Sequence, residues 1–264
     1  AATLAELSAG SVAGLRLASA KFAIADYKDT EFEVEAQGSG DLGRALAFVQ
    51  ASPLGPQLGE QFMGLSGQGA TDFVFDLRYP TRRPEARDWS VRAGLKSATL
   101  RWPLLRAPLT RLAGEVEIGE RAIRTDELRG SYLDGPFRLS VRTAAPRAGV
   151  AMALQLEGAG SAAGPPLARV IGLPEGIHMS GAADWRLAGR IERPAARGRA
   201  WPVHFDVSSN LAGLGIDAPR PFAKRPADLR DTRVALDVPG PGRNDLRIES
   251  GAARAALEFT RRPD

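Results

Sequence analysis

Strict alternation of apolar and polar residues is the feature of this chain that most constrains its fold. In residues 31–35 glutamates alternate with Phe32 and Val34, and residues 72–79 follow the same rule. A period of two is that of a β-strand with one buried and one solvated face. The same pattern recurs, less regularly, in residues 89–95, 137–141, 152–156, 201–207, 234–238 and 246–248.

One-sided alternation repeated this often indicates an antiparallel sheet, because parallel sheets covered on both faces show continuous apolar runs. Helical spacing of apolar residues is confined to short stretches, at residues 41–49, 57–65 and 166–171. These stretches are too short for a helical layer. The sequence therefore predicts a mainly β protein with short helical insertions.

An internal repeat organises the strands. Residues 37–40, followed by a short helical stretch, resemble residues 157–160, and the loop 83–87 before a tryptophan resembles the loop 193–197 before another. Repeat units that bury their apolar faces by stacking on neighbours build elongated structures. We therefore predict one continuous elongated β body, divided into the end of a preceding unit (1–37), one unit (38–157) and a second unit truncated at its C-terminus (158–264).

Composition excludes several classes of function. The chain has 264 residues, 44% of them hydrophobic, which is enough for a core without disulfides or structural metal. It has no cysteine, so Cys-ligated zinc, iron–sulfur clusters and thiol catalysis are excluded. Lys and Arg (35) barely outnumber Asp and Glu (31), and aromatic residues are only 6% of the chain, which predicts no nucleic-acid binding. No apolar run approaches the roughly 20 residues of a membrane span, so any anchor or export signal would lie outside this chain.

The motifs with enzymatic potential have simpler structural interpretations. Residues 38–43 match G-x-G-x-x-G, but the strand before them is rich in glutamate, and residues 158–160 repeat the turn. A dinucleotide site needs a buried parallel strand there. The two histidines, His178 and His204, alternate with apolar neighbours, which predicts solvated imidazoles on the outward face.

No arrangement of a nucleophile with its base is recognisable, and the low aromatic content argues against a glycosidase cleft. We therefore predict no enzyme activity, no cofactor and no metal. The arginine-rich loops 82–87 and 190–199 allow two interpretations. They are solvated strand ends, or they contact phospholipid headgroups or an acidic partner.

Residues 209–224 carry a resemblance to a known family. They match the pattern S-N-L-x-G-L-x-I-x-L-P-x-P-x-x-K of the AsmA-like YhdP family, except that Ala218 replaces the leucine that the family favours. The order of further segments is also similar to that family, at residues 52–54, 67–77, 112–116 and 180–185. Its members are large envelope proteins of Gram-negative bacteria, with an N-terminal membrane anchor and a long periplasmic β body.

The resemblance implies a bridge-like lipid carrier. It predicts a long, strongly curved antiparallel sheet that forms an apolar groove, in which phospholipid acyl chains move while the headgroup stays in water. The chain would be a periplasmic segment of a protein anchored in the inner membrane by a part outside this chain. Its partners would be phospholipid acyl chains and, in addition, inner- and outer-membrane proteins of the envelope. No catalytic residues are carried over.

The candidate groove residues are the apolar members of the alternating strands: Phe32, Val34, Phe73, Phe75, Leu77, Val91, Leu95, Val116, Ile118, Leu139, Val141, Met152, Leu154, Val203, Phe205 and Leu236. A second hypothesis is a scaffold module of the envelope whose apolar face is a filled core, and a third is an enzyme acting on envelope carbohydrate. An open trough along one sheet would favour the carrier. Two sheets packed face to face about 10 Å apart would favour the scaffold.

Overall fold

The computed structural model describes residues 3–24, 31–52, 64–83, 86–120, 122–145, 147–196, 200–240 and 243–260. Of the predicted helical stretches, the one at 57–65 lies almost wholly outside the described residues. The other two are helices, α1 (Leu42–Ala51) and α2 (Gly164–Ile171). The strands are β1 (Thr3–Leu7), β2 (Gly10–Val12), β3 (Leu15–Ile24), β4 (Glu31–Asp41), β5 (Ser66–Pro80), β6 (Asp88–Arg101), β7 (Leu109–Gly119), β8 (Ile123–Tyr132), β9 (Gly135–Ala144), β10 (Val150–Ala163), β11 (His178–Pro194), β12 (Val203–Ser209), β13 (Leu214–Asp217), β14 (Thr232–Gly240), β15 (Arg243–Ser250) and β16 (Ala253–Thr260).

Within the described residues, all sixteen strands belong to one sheet. From β3 to β12 each strand pairs with its neighbour in sequence, always antiparallel, and β12, β14, β15 and β16 continue the same order. The short strands β2 and β13 pair at the side, with β3 and β11. The prediction of a mainly β, antiparallel and curved open sheet with short helical insertions is confirmed.

The glycine-rich turns of the repeat lie at equivalent places. Gly38 is in β4, which runs directly into α1, and Gly158 is in β10, which runs directly into α2. Each helix then leads back to a long strand, β5 or β11, that pairs with the strand before the helix. The division of the chain at 37/38 and 157/158 stays a prediction.

Capping explains why α1 begins where it does. The Asp41 carboxylate accepts hydrogen bonds from the backbone N–H groups of Gly43 and Gly69, both at 2.9 Å. The first satisfies a free donor of the helix N-terminus, and the second ties the helix to β5. The hydrogen bond from Gly69 is the main reason that the pKa of Asp41 is lowered. Leu42 then buries its side chain against the sheet.

Two contacts across the sheet establish its curvature. Trp102 directly follows β6, and its ring meets that of Phe205 in β12 edge to face, with centroids 6.2 Å apart. Six strand spacings separate β6 from β12, which would be roughly 29 Å in a flat sheet. The Arg193 guanidinium, at the end of β11, likewise donates to the carbonyl of Glu120 just after β7, at 2.9 Å. The face that carries Phe205 is therefore concave.

Candidate functional site: the apolar groove

One face of the sheet is apolar from its first strands to its last. Residues directly opposite each other in an antiparallel pair share a face. Val34 lies opposite Leu77, and Phe75 lies opposite Val91. Farther along the sheet, Phe205 lies opposite Leu236. Register shifts in β6, β7 and β8 change which positions of those strands point to this face, but the strand pairing carries the same face through to β12 and β14.

All sixteen candidate groove residues lie on this face. The strand pairings and the two-residue period bring together Phe32, Val34, Phe73, Phe75, Leu77, Val91, Leu95, Val116, Ile118, Leu139, Val141, Met152, Leu154, Val203, Phe205 and Leu236. That they contact lipid stays a prediction. The glutamates of residues 31–35 lie on the opposite face, where Glu33 is the strand neighbour of Arg78 and Glu31 forms an ion pair with it.

The middle of the groove is filled. A group that we call the inner cluster is almost fully buried; it consists of Met152, Leu154, Leu156, Ile191, Trp201 and Val203. Trp102 and Leu104, from the connection between β6 and β7, pack against it from the concave side. Neither residue is among the sixteen candidate groove residues, since both belong to a loop and follow no strand pattern.

The flanks of the groove are open. Phe22 in β3 is 37% exposed, and Leu257 and Phe259 in the last strand, β16, are each 47% exposed. Phe32 stacks on Phe22 with ring centroids 5.6 Å apart, so the first strands present a partly covered aromatic surface. The concave face therefore has two open apolar ends and a closed centre.

Glycines on the groove face make room for aromatic rings of neighbouring strands. A Cβ on Gly38 would lie 2.6 Å from the Phe73 ring, and one on Gly189 would lie 2.7 Å from the Phe205 ring. The first glycine of the G-x-G-x-x-G match thus has a packing role in the sheet. Its strand pairs antiparallel on both sides, which excludes the parallel arrangement that a dinucleotide site requires.

The family model described as YhdP protein matches residues 4–262. The chain belongs to the YhdP family. No curated protein and no solved structure matches it significantly. In this YhdP-family chain, the described residues include no helix long and apolar enough to cross a membrane. The same part of the chain has no cluster of three or more His, Asp or Glu side chains that could hold a metal ion.

The outward face of this YhdP-family sheet carries ion pairs, and His204 lies at the centre of one group. His204 contacts Asp237 through Nδ1 at 2.5 Å and Asp206 through Nε2 at 3.0 Å. The hydrogen bond with Asp237 is the main cause of the raised pKa of His204, and Asp206, whose own pKa is lowered chiefly by Arg233, adds to it. His178, the other histidine, is exposed at the start of β11.

We expect this histidine to make stability weakly dependent on pH. Because the pKa of His204 is raised in the folded state, its contribution is fully present below about pH 6.5, the unfolded value. It is lost as pH rises through the folded-state pKa. The side chain is 43% exposed, so the contribution is below about 1 kcal/mol. Urea unfolding of the wild type and of His204→Gln between pH 5.5 and 8.5, roughly the range in which this histidine titrates, measures the contribution. If the free energies of unfolding of the two proteins depend on pH in the same way, the expectation is contradicted.

The arginine-rich loops lie together at one end of the strands. Arg87 pairs with Glu120 at 3.5 Å, and the Arg193 guanidinium lies 5.9 Å from the centre of the Trp201 ring. Arg82 and Arg83 are exposed. Part of this basic edge is therefore internal to the fold, where it connects β7 with β11. Contacts of its exposed arginines with headgroups stay a prediction.

Proposed function

We propose that this chain is a segment of a bridge-like phospholipid carrier whose concave face shields acyl chains from water. The observation that carries the proposal is the continuous apolar face on a single open sheet, since no second sheet covers it among the described residues. That arrangement favours the carrier over a scaffold made of two packed sheets. Members of the YhdP family are regarded as lipid-transport proteins rather than as enzymes.

The physical basis is the transfer of acyl chains from water to the groove. Each buried CH₂ contributes about 0.8 kcal/mol, so an apolar surface that spans many strands can hold a chain at successive positions of similar energy. Movement of the lipid along the groove requires binding positions of similar free energy, because one deep minimum would trap it. The outward face, with ion pairs such as Arg124–Glu117 at 2.8 Å, stays in water. The proposal places the chain in the periplasm, between inner and outer membranes.

Phospholipid is expected to co-purify with the chain. Native mass spectrometry after gentle extraction from a Gram-negative host should detect bound phospholipid on the wild type. Phe75→Asp should reduce it strongly, because it puts a carboxylate on the groove face at a half-buried position outside the inner cluster. Val74→Asp is the matched control, since Val74 lies one position earlier in β5 on the outward face, opposite Gln37 and Arg92.

The result that would contradict the proposal is a wild-type chain that carries no phospholipid and binds no lipophilic dye. Equal lipid loss in Phe75→Asp and Val74→Asp would also contradict it, since lipid binding would then not depend on the groove face. Protease accessibility of the tagged parent protein in spheroplasts tests the periplasmic location.

A further inference from the structure

The connection between β6 and β7 folds over the concave face, where its Trp102 and Leu104 pack against the inner cluster. It consists of residues 102–108, and we call it the strap. Its Trp102 ring meets Phe205 edge to face at 6.2 Å, and Leu104 packs on the inner cluster. These contacts put the strap where an acyl chain lying along the groove would have to pass.

The strap divides the groove into two parts. Beneath it, Met152 and Val203 are 2% exposed and Leu154 is 3% exposed, while both flanks are open to solvent. An acyl chain can therefore lie in either flank with the strap in place. A continuous path over the inner cluster requires that Trp102 and Leu104 leave it.

The attachments of the strap suit such a movement. Its hydrogen bonds include a turn, from the N–H of Leu105 to the carbonyl of Trp102 at 2.8 Å, and a long contact of 3.4 Å from Arg106 to the carbonyl of Val170 in α2. Neither belongs to a strand pairing, so lifting the strap leaves the sheet intact. A cleft of about 630 Å³, with Arg106, Pro108 and Val170 in its lining, separates the rest of the strap from α2.

We propose that the strap is a gate in the lipid path: acyl chain replaces Trp102 and Leu104 on the inner cluster, and the strap closes again when the chain has passed. The inference rests on the proposed function. Exchange of one apolar group for another leaves the inner cluster covered in both states, so neither state exposes it to water. A ligand shifts such an equilibrium by binding one state better than the other. The acyl chain binds the inner cluster only when the strap is open, so it favours the open state.

Crosslinking the strap to α2 tests the gate. Arg106 and Arg169 are exposed, both line the cleft, and the chain has no native cysteine, so Arg106→Cys with Arg169→Cys can be joined by a short bismaleimide. The control pair is Arg129→Cys with Arg138→Cys, which lie opposite each other on the outward face of β8 and β9. The probe is a phosphatidylglycerol with a diazirine on one acyl chain, and labelled peptides are mapped by mass spectrometry.

Before crosslinking, we expect label on the inner cluster and on both flanks. Joining the strap to α2 should shift the gate to its closed state and reduce labelling of Leu156 and Phe205 about tenfold. Labelling of the flanks should not change. The control crosslink should change neither. Equal labelling of the inner cluster with the strap locked and unlocked would overturn the gate alone. Absence of label anywhere on the wild type would instead overturn the proposed function.

A second variant tests the same gate from the open side. Trp102→Ala removes the ring contact with Phe205 and should raise labelling of the inner cluster about fivefold. Trp102→Phe keeps an aromatic side chain there and should restore most of the wild-type pattern. Circular dichroism checks that both variants fold. Unchanged labelling in a folded Trp102→Ala variant would overturn the proposal.

Discussion

Leu154→Asp is expected to unfold most of the chain, whereas Phe75→Asp is expected to leave it folded. Both side chains lie on the apolar face, but Leu154 is 3% exposed within the inner cluster, whereas Phe75 is only half-buried and lies outside that cluster. A carboxylate buried without a partner at position 154 should cost roughly 4 kcal/mol or more. That is a large part of a total stability of about 5–15 kcal/mol.

Chemical denaturation monitored by circular dichroism measures the difference. Gln155→Asp is the matched control for the first variant, because Gln155 is the next residue in β10 and is exposed on the outward face. It should change the free energy of unfolding by less than about 0.5 kcal/mol. If Phe75→Asp unfolds as completely as Leu154→Asp, the groove is a filled core along its whole length. That result would favour the scaffold hypothesis over the lipid carrier.

The strands and their faces could be predicted because both depend on local spacing. Alternation at two-residue intervals determines which side chains share a face within a strand, so Phe73, Phe75 and Leu77 could be placed together without coordinates. Antiparallel pairing of neighbours in sequence then extends that face from strand to strand. The resemblance in residues 209–224 supplied the idea of a curved sheet with a groove, which periodicity alone does not contain.

The closed centre of the groove could not be predicted, because it depends on contacts distant in sequence. The apolar residues Trp102, Leu104 and Leu105 follow β6 with no alternating pattern. Nothing in their spacing indicates a partner such as Phe205, about a hundred residues later. The only available signal was the presence of large apolar side chains in a connection that should otherwise be polar.

The pairing of glycines with aromatic rings shows the same limit. Gly189 and Phe205 occupy neighbouring strands, and their contact requires the register of β11 against β12. Sequence alone marks a glycine in a strand as a weak point or a close approach. It does not tell which ring fills the space, so these glycines could be predicted as structural but not assigned to partners.

Gly135→Ala is expected to lower the free energy of unfolding by about 2–3 kcal/mol through overpacking. Gly135 begins β9 and is buried, and a Cβ there would collide with the carbonyl oxygen of Ser161 in β10. Backbone cannot rotate away as a flexible side chain can, so β9 and β10 must separate locally. The adjoining turn, Leu133 and Asp134, lines the cleft beside the strap, so the strap and α2 should also become less ordered.

Gly94→Ala is the control for this effect. Gly94 lies in β6 with nothing within 4 Å of the position that a Cβ would take, and its backbone does not require glycine. Alanine there restricts the unfolded chain and should stabilise the protein by about 0.4–1 kcal/mol. Urea unfolding of the two variants and the wild type measures both changes in the free energy of unfolding. If Gly135→Ala is as stable as Gly94→Ala, β9 and β10 do not approach as closely as described here.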